Sequence, residues 1–225
     1  MENNLLIYNI VDGAQAFTAG RGAVLPCHVI QPHQTHSVKV ACIDDPGIAR
    51  EQLEGVDALV TNLRGVAIGV RTADCIPVLL YDPVRGAIGA AHSGWRGTVN
   101  MIAKKTVGEM IRLFGCSPSD IRAVIGPGIG FDSFQVGEEV ALVFKESGFP
   151  VDRIWAFRGA RAENSMEGGH HIDLKECVRI SLVDCGVPAD NIQVSDIDTY
   201  IDDRFYSARR EGTQTGRNIN AVKMV

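Results

Sequence analysis

The sequence predicts an α/β fold of the α+β kind, with two stacked, mixed β-sheets flanked by helices in a single domain over residues 1–225. Three observations predict it. Short apolar segments typical of buried strands recur along the chain, and segments with helical spacing alternate with them. No Gly/Ser-rich or Pro-rich linker divides the 225 residues, a length that suits one large domain.

Nearly continuous apolar segments predict buried strands at GVAIGVRT (65–72), IPVLLYD (76–82), GAIGAAHS (86–93) and IRAVIG (121–126). Short apolar runs without polar alternation are typical of strands that are covered on both faces. A turn at Asp82-Pro83 joins the second segment to the third, so we expect these two strands to pair.

Three segments have the spacing of amphipathic helices. The first runs from Thr98 to Phe114, and the second is VGEEVALVFKESG (136–148), with acidic residues in its first turn. The third begins after Asp173, a good N-cap. Between the last two, the stretch 158–171 is polar and glycine-bearing, which predicts a surface loop.

Composition narrows the classes of function. The net charge is −5 and no basic run is present, so the electrostatic footprint of a nucleic-acid-binding protein is missing. No apolar run has the length of a membrane span, and the N-terminal segment does not resemble a secretory signal. The six cysteines lack the tight spacing of a disulfide scaffold. We expect a cytoplasmic protein with reduced thiols and neither nucleic-acid nor membrane partners.

A thiol and an imidazole stand at the ends of the two strands expected to pair. Cys75 comes directly before the strand 76–82, and His92 lies near the end of the strand 86–93. Pairing through the turn brings these far ends together. A cysteine and a histidine that meet at one end of a sheet suit either a Cys–His dyad or a metal site.

The segment QPHQTHSVKV (31–40) offers a third donor. His33 and His36 are three residues apart, so in a strand they would point to opposite faces and only one would join the cluster. One sulfur and two nitrogen donors suit Zn²⁺, with copper as the alternative. Three protein ligands leave a fourth position open, which is typical of a catalytic zinc.

Arginines surround the same motifs. Arg71 precedes the Asp74-Cys75 pair, Arg96 follows His92, and FYSARREGTQTGR (205–217) contains several more. In a chain with an acidic balance, such a group indicates an anion pocket, because arginine makes bidentate contacts with phosphate and carboxylate.

These motifs together resemble the YfiH-like family, also known as laccase-domain or polyphenol-oxidase-like proteins, purine nucleoside phosphorylases and peptidoglycan editing factors. The family motifs are matched by TADCIPVLL and HSGWRG, which contain Cys75 and His92, and by QTHS, which contains His36. DALVT (57–61) and the segment 205–217 are similar to two further motifs.

The resemblance extends over residues 31–217 and implies a fold shared with cytotoxic necrotising toxins, the CNF/YfiH-like sandwich. It also implies that His36, Cys75 and His92 bind one metal ion, and that His33 does not. The sequence departs from the family pattern at three places, where Ser37 replaces a glycine, Phe134-Gln135 replaces Tyr-Glu, and Asp198-Thr199 replaces Cys-Thr.

The resemblance implies a zinc-dependent enzyme that cleaves adenosine, inosine or methylthioadenosine with phosphate into the base and ribose 1-phosphate, with adenosine deamination as a side activity. Such chemistry assigns catalytic roles to Cys75, His92, Asp74 and Arg71. It assigns substrate binding to Arg96, Arg209 and Arg210.

Three other functions remain as alternatives. One is a zinc amidase that edits peptidoglycan precursors. Another is a metal-free thiol deamidase with Cys75 as nucleophile and His92 as base, although it leaves His36 without a role. A non-enzymatic binding module would leave the open three-ligand site unexplained. A multicopper oxidase is excluded by number, because coupled copper centres need many imidazoles and the chain has six histidines.

Overall fold

The computed structural model describes residues 4–10, 12–159 and 168–225. In this part of the chain the strands are β1 (Leu5–Tyr8), β2 (Ala14–Ala19), β3 (Val40–Cys42), β4 (Ala58–Thr61), β5 (Ala67–Thr72), β6 (Ile76–Asp82), β7 (Ala87–Ser93), β8 (Arg122–Ile125), β9 (Gln135–Val136), β10 (Trp155–Arg158), β11 (Gly169–Ile172), β12 (Ile192–Val194) and β13 (Asn218–Met224). The α-helices are α1 (Trp95–Val99), α2 (Ile102–Phe114), α3 (Glu138–Glu146), α4 (Val151–Ile154), α5 (Leu174–Asp184) and α6 (Ala208–Glu211).

The described strands form three sheets. A six-stranded sheet has the order β12-β8-β6-β7-β4-β3, a four-stranded sheet has the order β1-β2-β13-β5, and a small sheet has the order β10-β11-β9. The six-stranded sheet is mixed, because β3–β4 and β12–β8 pair in parallel while its other pairs are antiparallel. The expectation of stacked sheets with helices is confirmed, but only one sheet is mixed and a third one is present.

Strict alternation along the central strands sends side chains to two different layers. On one face of the six-stranded sheet, Leu59, Leu79 and Ile88 share a core with Ile68 and Val222 of the four-stranded sheet. The opposite face packs against helices α2 and α5, with buried side chains that include Val60, Val78, Leu80, Val107, Met110, Val178 and Leu182. Strands covered on both sides need apolar residues at every position, which explains the uninterrupted runs in the sequence.

The four predicted strands are confirmed as β5, β6, β7 and β8. The first predicted helix is broken into α1 and α2, because Met101 takes a left-handed backbone conformation with φ 61° between them. The second begins later than expected, since Val136 pairs with His170 in the small sheet. The third begins as predicted, with the Asp173 side chain accepting a hydrogen bond from the Glu176 amide at 3.0 Å.

The predicted loop 158–171 needs correction at both ends. Arg158 is the last residue of β10, and Gly169–His171 belong to β11, which pairs with it. The middle of the stretch, residues 160–167, lies outside the described residues. Both strands contain polar residues because the small sheet leaves some of its positions, such as Arg158 and His170, only partly buried. A polar composition therefore does not distinguish these strands from a loop.

All six cysteines are free thiols, in agreement with the spacing argument. Within the described ranges, no helix combines the length and the apolar character that crossing a bilayer requires. The single-domain organisation over 1–225 and the cytoplasmic location stay predictions.

A buried polar network ties the strands of the four-stranded sheet together. The Thr18 hydroxyl donates to Asn220 Oδ1 at 2.7 Å, and Asn220 Nδ2 donates to the Thr72 hydroxyl at 3.0 Å. Tyr8 extends the network with a 2.8 Å hydrogen bond to Thr18, and burial raises the pKa of Tyr8 to about 12. Asn220 therefore satisfies hydroxyl groups on both neighbouring strands.

We predict that Asn220→Ala destabilises the fold. The change removes one hydrogen bond from each of the buried hydroxyls of Thr18 and Thr72, and unmet hydrogen bonding of a buried group costs about 1–3 kcal/mol. Equilibrium denaturation in urea should show the lower free energy of unfolding, whereas the exposed Asn9→Ala should change it by less than about 0.5 kcal/mol. Equal stability of the two variants would show that the network contributes nothing.

Candidate metal centre

The antiparallel pairing of β6 with β7 brings the predicted thiol and imidazole to the same end of the sheet. In the register, Pro77 lies opposite His92 and Ile76 lies opposite Ser93. Cys75 directly precedes β6, so its side chain stands beside that of His92. The expectation that pairing through the turn unites the two far ends is confirmed.

His36 completes a three-donor cluster with Cys75 and His92. One ligand atom from each residue lies within 4.8 Å of the others, and no other group of this kind occurs in the described part of the chain. His36 Nε2 is 3.9 Å from the Cys75 sulfur, and the centroids of the His36 and His92 rings are 4.9 Å apart. His33 instead lies on the surface, with its Nδ1 2.7 Å from a carboxylate oxygen of Glu54.

His36 and His33 are separated for a reason other than alternation along a strand. Residues 31–39 form an irregular segment with a single bridge at His33, so alternation along a strand does not separate the two histidines. His36 takes a left-handed backbone conformation, with φ 61°, which is uncommon for a residue with a side chain. Backbone strain of this kind persists only where surrounding contacts fix the chain.

The buried carboxylate of Asp57 supplies those contacts. Its two oxygens accept hydrogen bonds from the backbone amides of Thr35, His36 and Ser37 at 3.1, 3.1 and 2.7 Å. Oδ1 also bonds to His92 Nδ1 at 2.8 Å. One carboxylate thus orients both histidines of the cluster, and Nδ1 of His92 is occupied, which leaves Nε2 for a metal ion.

Asp57 has no role in the reading from sequence, although it begins the DALVT motif. An aspartate that precedes an apolar strand gives no local sign of the residues its carboxylate will contact. The signal that could have found it is its position directly before β4, which is paired with β7 and therefore with His92.

Gln34 fixes the same irregular segment to the edge of β5. Its side-chain Nε2 donates to the carbonyl of Arg71 and its Oε1 accepts from the Arg71 amide, both at 2.8 Å. The amide group of Gln34 thus takes the place of a neighbouring strand. In the sequence, Gln34 is marked only as the first residue of the QTHS motif.

The cluster favours a thiolate. Burial raises the pKa of Cys75, but the positive charge of His92 and hydrogen bonds from His36 and His92 outweigh it and lower that pKa to about 6. Burial lowers the pKa of His92, whereas the Cys75 thiolate and the Asp57 carboxylate raise it to about 9. A thiolate is both the metal-binding and the nucleophilic form of cysteine.

A cavity of about 530 Å³ opens beside the donor atoms. Its wall includes the three ligand side chains, Gln34, the cations Arg50, Arg71 and Arg217, and the loop 213–215. The volume is within the range of about 300–1,000 Å³ that is typical of small-molecule sites.

Asp74 is buried and its carboxylate is engaged by the C-terminal part of the chain. Oδ1 accepts a hydrogen bond from the Thr199 hydroxyl at 2.7 Å, and Oδ2 accepts one from the Arg209 amide at 2.6 Å. Asp74 also has a left-handed backbone, with φ 82°. The residue is not among those that line the cavity, so the structure shows it anchoring α6 beside Cys75.

Of the four arginines given roles by number, Arg71, Arg96, Arg209 and Arg210, only Arg71 is among the described residues that line the cavity. Arg209 donates to the Gln135 carbonyl at 2.9 Å. Arg210 donates to the carbonyls of Thr199, Tyr200 and Phe205 and pairs with Glu211. Arg96 lies over the ring of Trp95, with 4.4 Å between the guanidinium carbon and the ring centroid.

The departures from the family pattern take part in local structure. The Ser37 hydroxyl donates to the Gly55 carbonyl at 2.6 Å. Asp198 accepts a hydrogen bond from the Ser133 hydroxyl at 2.6 Å, and Thr199 is the residue that contacts Asp74. Phe134 lies 5.8 Å from the Arg209 guanidinium carbon.

One sulfur and two nitrogen donors that converge at the end of an α/β sandwich, beside an open cavity, define a site of the kind that holds a single metal ion. Comparison with known proteins gives the family. The chain belongs to the family described as multi-copper polyphenol oxidoreductase laccase, whose model matches residues 11–225.

Relatives and solved structures agree with this membership. A protein named purine nucleoside phosphorylase from Bacteroides thetaiotaomicron is 42% identical over 205 residues, 88% of this chain and 74% of that protein. A protein named adenosine deaminase RL5, from an unknown prokaryotic organism, is 43% identical over 201 residues, 86% of this chain and 74% of its own length. The crystal structure of Bacillus licheniformis YfiH has a TM-score of 0.87 at 27% identity and covers 99% of this chain and 97% of its own.

Gly94 leaves the space in which the cluster forms. A Cβ atom at this position would lie 2.9 Å from the Cys75 sulfur and 3.0 Å from His36 Cδ2. Its backbone conformation, φ −71° and ψ 171°, is open to any residue. The glycine is therefore needed for room and not for backbone freedom.

We predict that Gly94→Ala weakens metal binding without unfolding the protein. The added methyl group displaces two ligand side chains, and we expect zinc affinity to fall about 10-fold or more, as it does when ligand orientation is lost. Competition with a chromogenic chelator measures this. Gly108→Ala is the matched control, since a Cβ there meets nothing within 4 Å. Wild-type zinc affinity in Gly94→Ala would contradict the assigned geometry.

Proposed function

We propose that this protein is a zinc-dependent purine nucleoside phosphorylase that converts adenosine, inosine or methylthioadenosine with phosphate into the base and ribose 1-phosphate, and that deaminates adenosine as a side activity. The observation that supports it most is the position of the Cys/His cluster, which opens onto a cavity of nucleoside size bounded by cations. The names of the relatives support the same reading.

The donor set fits zinc. One cysteine and two histidines in a partly open cluster match the ligands and the vacant position of catalytic zinc sites, and copper is the alternative metal. A zinc ion held by His36, Cys75 and His92 would supply Lewis-acid chemistry at the cavity. A single cluster in the described chain, with six histidines in the sequence, does not fit a multicopper centre in spite of the family's description.

The protein's own residues then have to bind and orient the reactants. In phosphorolysis a phosphate oxygen forms a bond to the anomeric carbon while the glycosidic C–N bond breaks and the purine leaves with the electron pair. Cations on the wall suit the phosphate, and holding it against the sugar removes much of the entropic barrier. Asp57 and Gln34 keep the surrounding groups in fixed positions.

A second candidate is a thiol hydrolase, such as a deamidase. The line Asp57–His92–Cys75 has the order of acid, base and nucleophile, and the lowered pKa of Cys75 suits a nucleophile. Against it, His36 stands in the cluster without a role in such a mechanism. The zinc amidase alternative shares the metal site but needs no phosphate.

We predict that base release from inosine rises with added phosphate and that ribose 1-phosphate is the product. Treatment with a strong chelator should abolish the activity, and Zn²⁺ should restore it. Chromatography of the base and enzymatic assay of the sugar product measure both arms in one reaction series.

Two results would contradict the proposal. Free ribose that accumulates regardless of phosphate would identify a hydrolase. Activity that survives complete metal removal, yet is lost on alkylation of Cys75, would identify the thiol mechanism. Cys42→Ser is the matched control for alkylation, since this half-buried thiol stands outside the cluster.

A further inference from the structure

Three arginines line the cavity and are close enough to affect one another electrostatically. Arg50, Arg71 and Arg217 all line it, and none of the described lining residues is an aspartate or a glutamate. They come from separate parts of the chain, namely the 3-10 turn Arg50–Leu53, the end of β5 and the residue directly before β13. The fold therefore collects positive charge at this wall without a lining carboxylate to balance it.

Arg71 is the most constrained of the three. Its backbone is fixed by Gln34, and its Nε is buried without a hydrogen-bond acceptor among the described residues. Burial lowers the pKa of Arg71, and the charges of Arg50 and Arg217 lower it further. Mutual repulsion of the three cations costs stability, and an oxyanion in the cavity would relieve it.

The guanidinium group of Arg217 is held by hydrogen bonds to backbone carbonyls, which do not balance its charge. Its guanidinium group donates to the carbonyls of Thr213, Thr215 and Gly216, which fixes the loop along the cavity. Carbonyl groups carry no net charge. Glu211, the one acidic residue in the segment 205–217, is already engaged by Arg21 and Arg210.

We propose that Arg50, Arg71 and Arg217 form the phosphate-binding subsite of the cavity. The inference rests on the proposed phosphorolysis and replaces Arg209 and Arg210, which are not among the residues that line the cavity. Three cations fit a phosphate dianion better than a singly charged carboxylate.

The test is calorimetric binding of inorganic phosphate to the zinc-loaded protein and its variants. Arg71→Gln should weaken phosphate binding about 10-fold or more, because it removes charged hydrogen bonds in a partly buried site. Arg50→Gln should weaken it about threefold or more, since Arg50 is exposed. Arg64→Gln is the matched control; this exposed arginine precedes β5, at the strand end opposite Arg71, and should bind as the wild type does.

Arg50 has no ion pair or hydrogen bond in the described structure, so its variant tests the inference even if Arg71→Gln fails to fold. Wild-type phosphate affinity in Arg50→Gln and in folded Arg71→Gln would overturn the subsite, as would an equal loss in Arg64→Gln. The proposed function can fail separately: the variant pattern in binding, without phosphate-dependent base release, would retain the subsite and reject the phosphorylase. Phosphate-dependent base release with an unchanged phosphate KM in both variants would retain the phosphorylase and reject the subsite.

Discussion

The candidate site depends on the hydrogen bonds that the Asp57 carboxylate accepts. It is completely buried and receives hydrogen bonds from three successive amides and from His92. These bonds offset the cost of burying its charge, and together with them His92 lowers the pKa of Asp57 against the opposing effect of burial. Without this acceptor, the three amides of the left-handed turn at His36 would lose the partner that they share beside β7.

The sandwich explains why the contact forms where it does. Asp57 directly precedes β4, which pairs with β7, and β7 pairs with β6. The three adjacent strands therefore supply the carboxylate, one histidine and the cysteine at neighbouring positions. Burial of both faces of these strands fixes their register, because a slip by one residue would exchange the two core layers. A rigid register gives ligand positions that do not depend on a metal ion to form.

Sequence reasoning succeeded where the signal is local or follows from one turn. The apolar runs identify the central strands, and the turn at Asp82-Pro83 places Cys75 beside His92. The family resemblance distinguishes His36 from His33, whereas the argument from strand alternation, which predicts only that one of the two joins the cluster, does not apply to an irregular segment. The break at Met101 lacks the glycine or proline that usually marks one.

The positions of the arginine side chains, in contrast, do not follow from the sequence. A guanidinium group stands at the end of a long side chain, so its position depends on tertiary contacts that sequence proximity does not reveal. Arg209 and Arg210 lie in the arginine-rich segment 205–217, yet neither is among the lining residues of the cavity, whereas Arg217 of the same segment is. Arg50 belongs to none of the motifs, so nothing in the sequence marks it, although the fold brings it to the cavity.

The most direct test of this account is the zinc affinity of the wild type and of Asp57→Asn, measured by chelator competition on folded protein. The amide keeps the size of the carboxylate but cannot accept hydrogen bonds at both atoms, so both histidines lose their fixed orientation. We predict one zinc ion per wild-type chain and affinity about 10–100-fold lower in Asp57→Asn, with the exposed Asp184→Asn unchanged. A wild type that binds no zinc, or an Asp57→Asn protein that binds it equally well, would contradict the account.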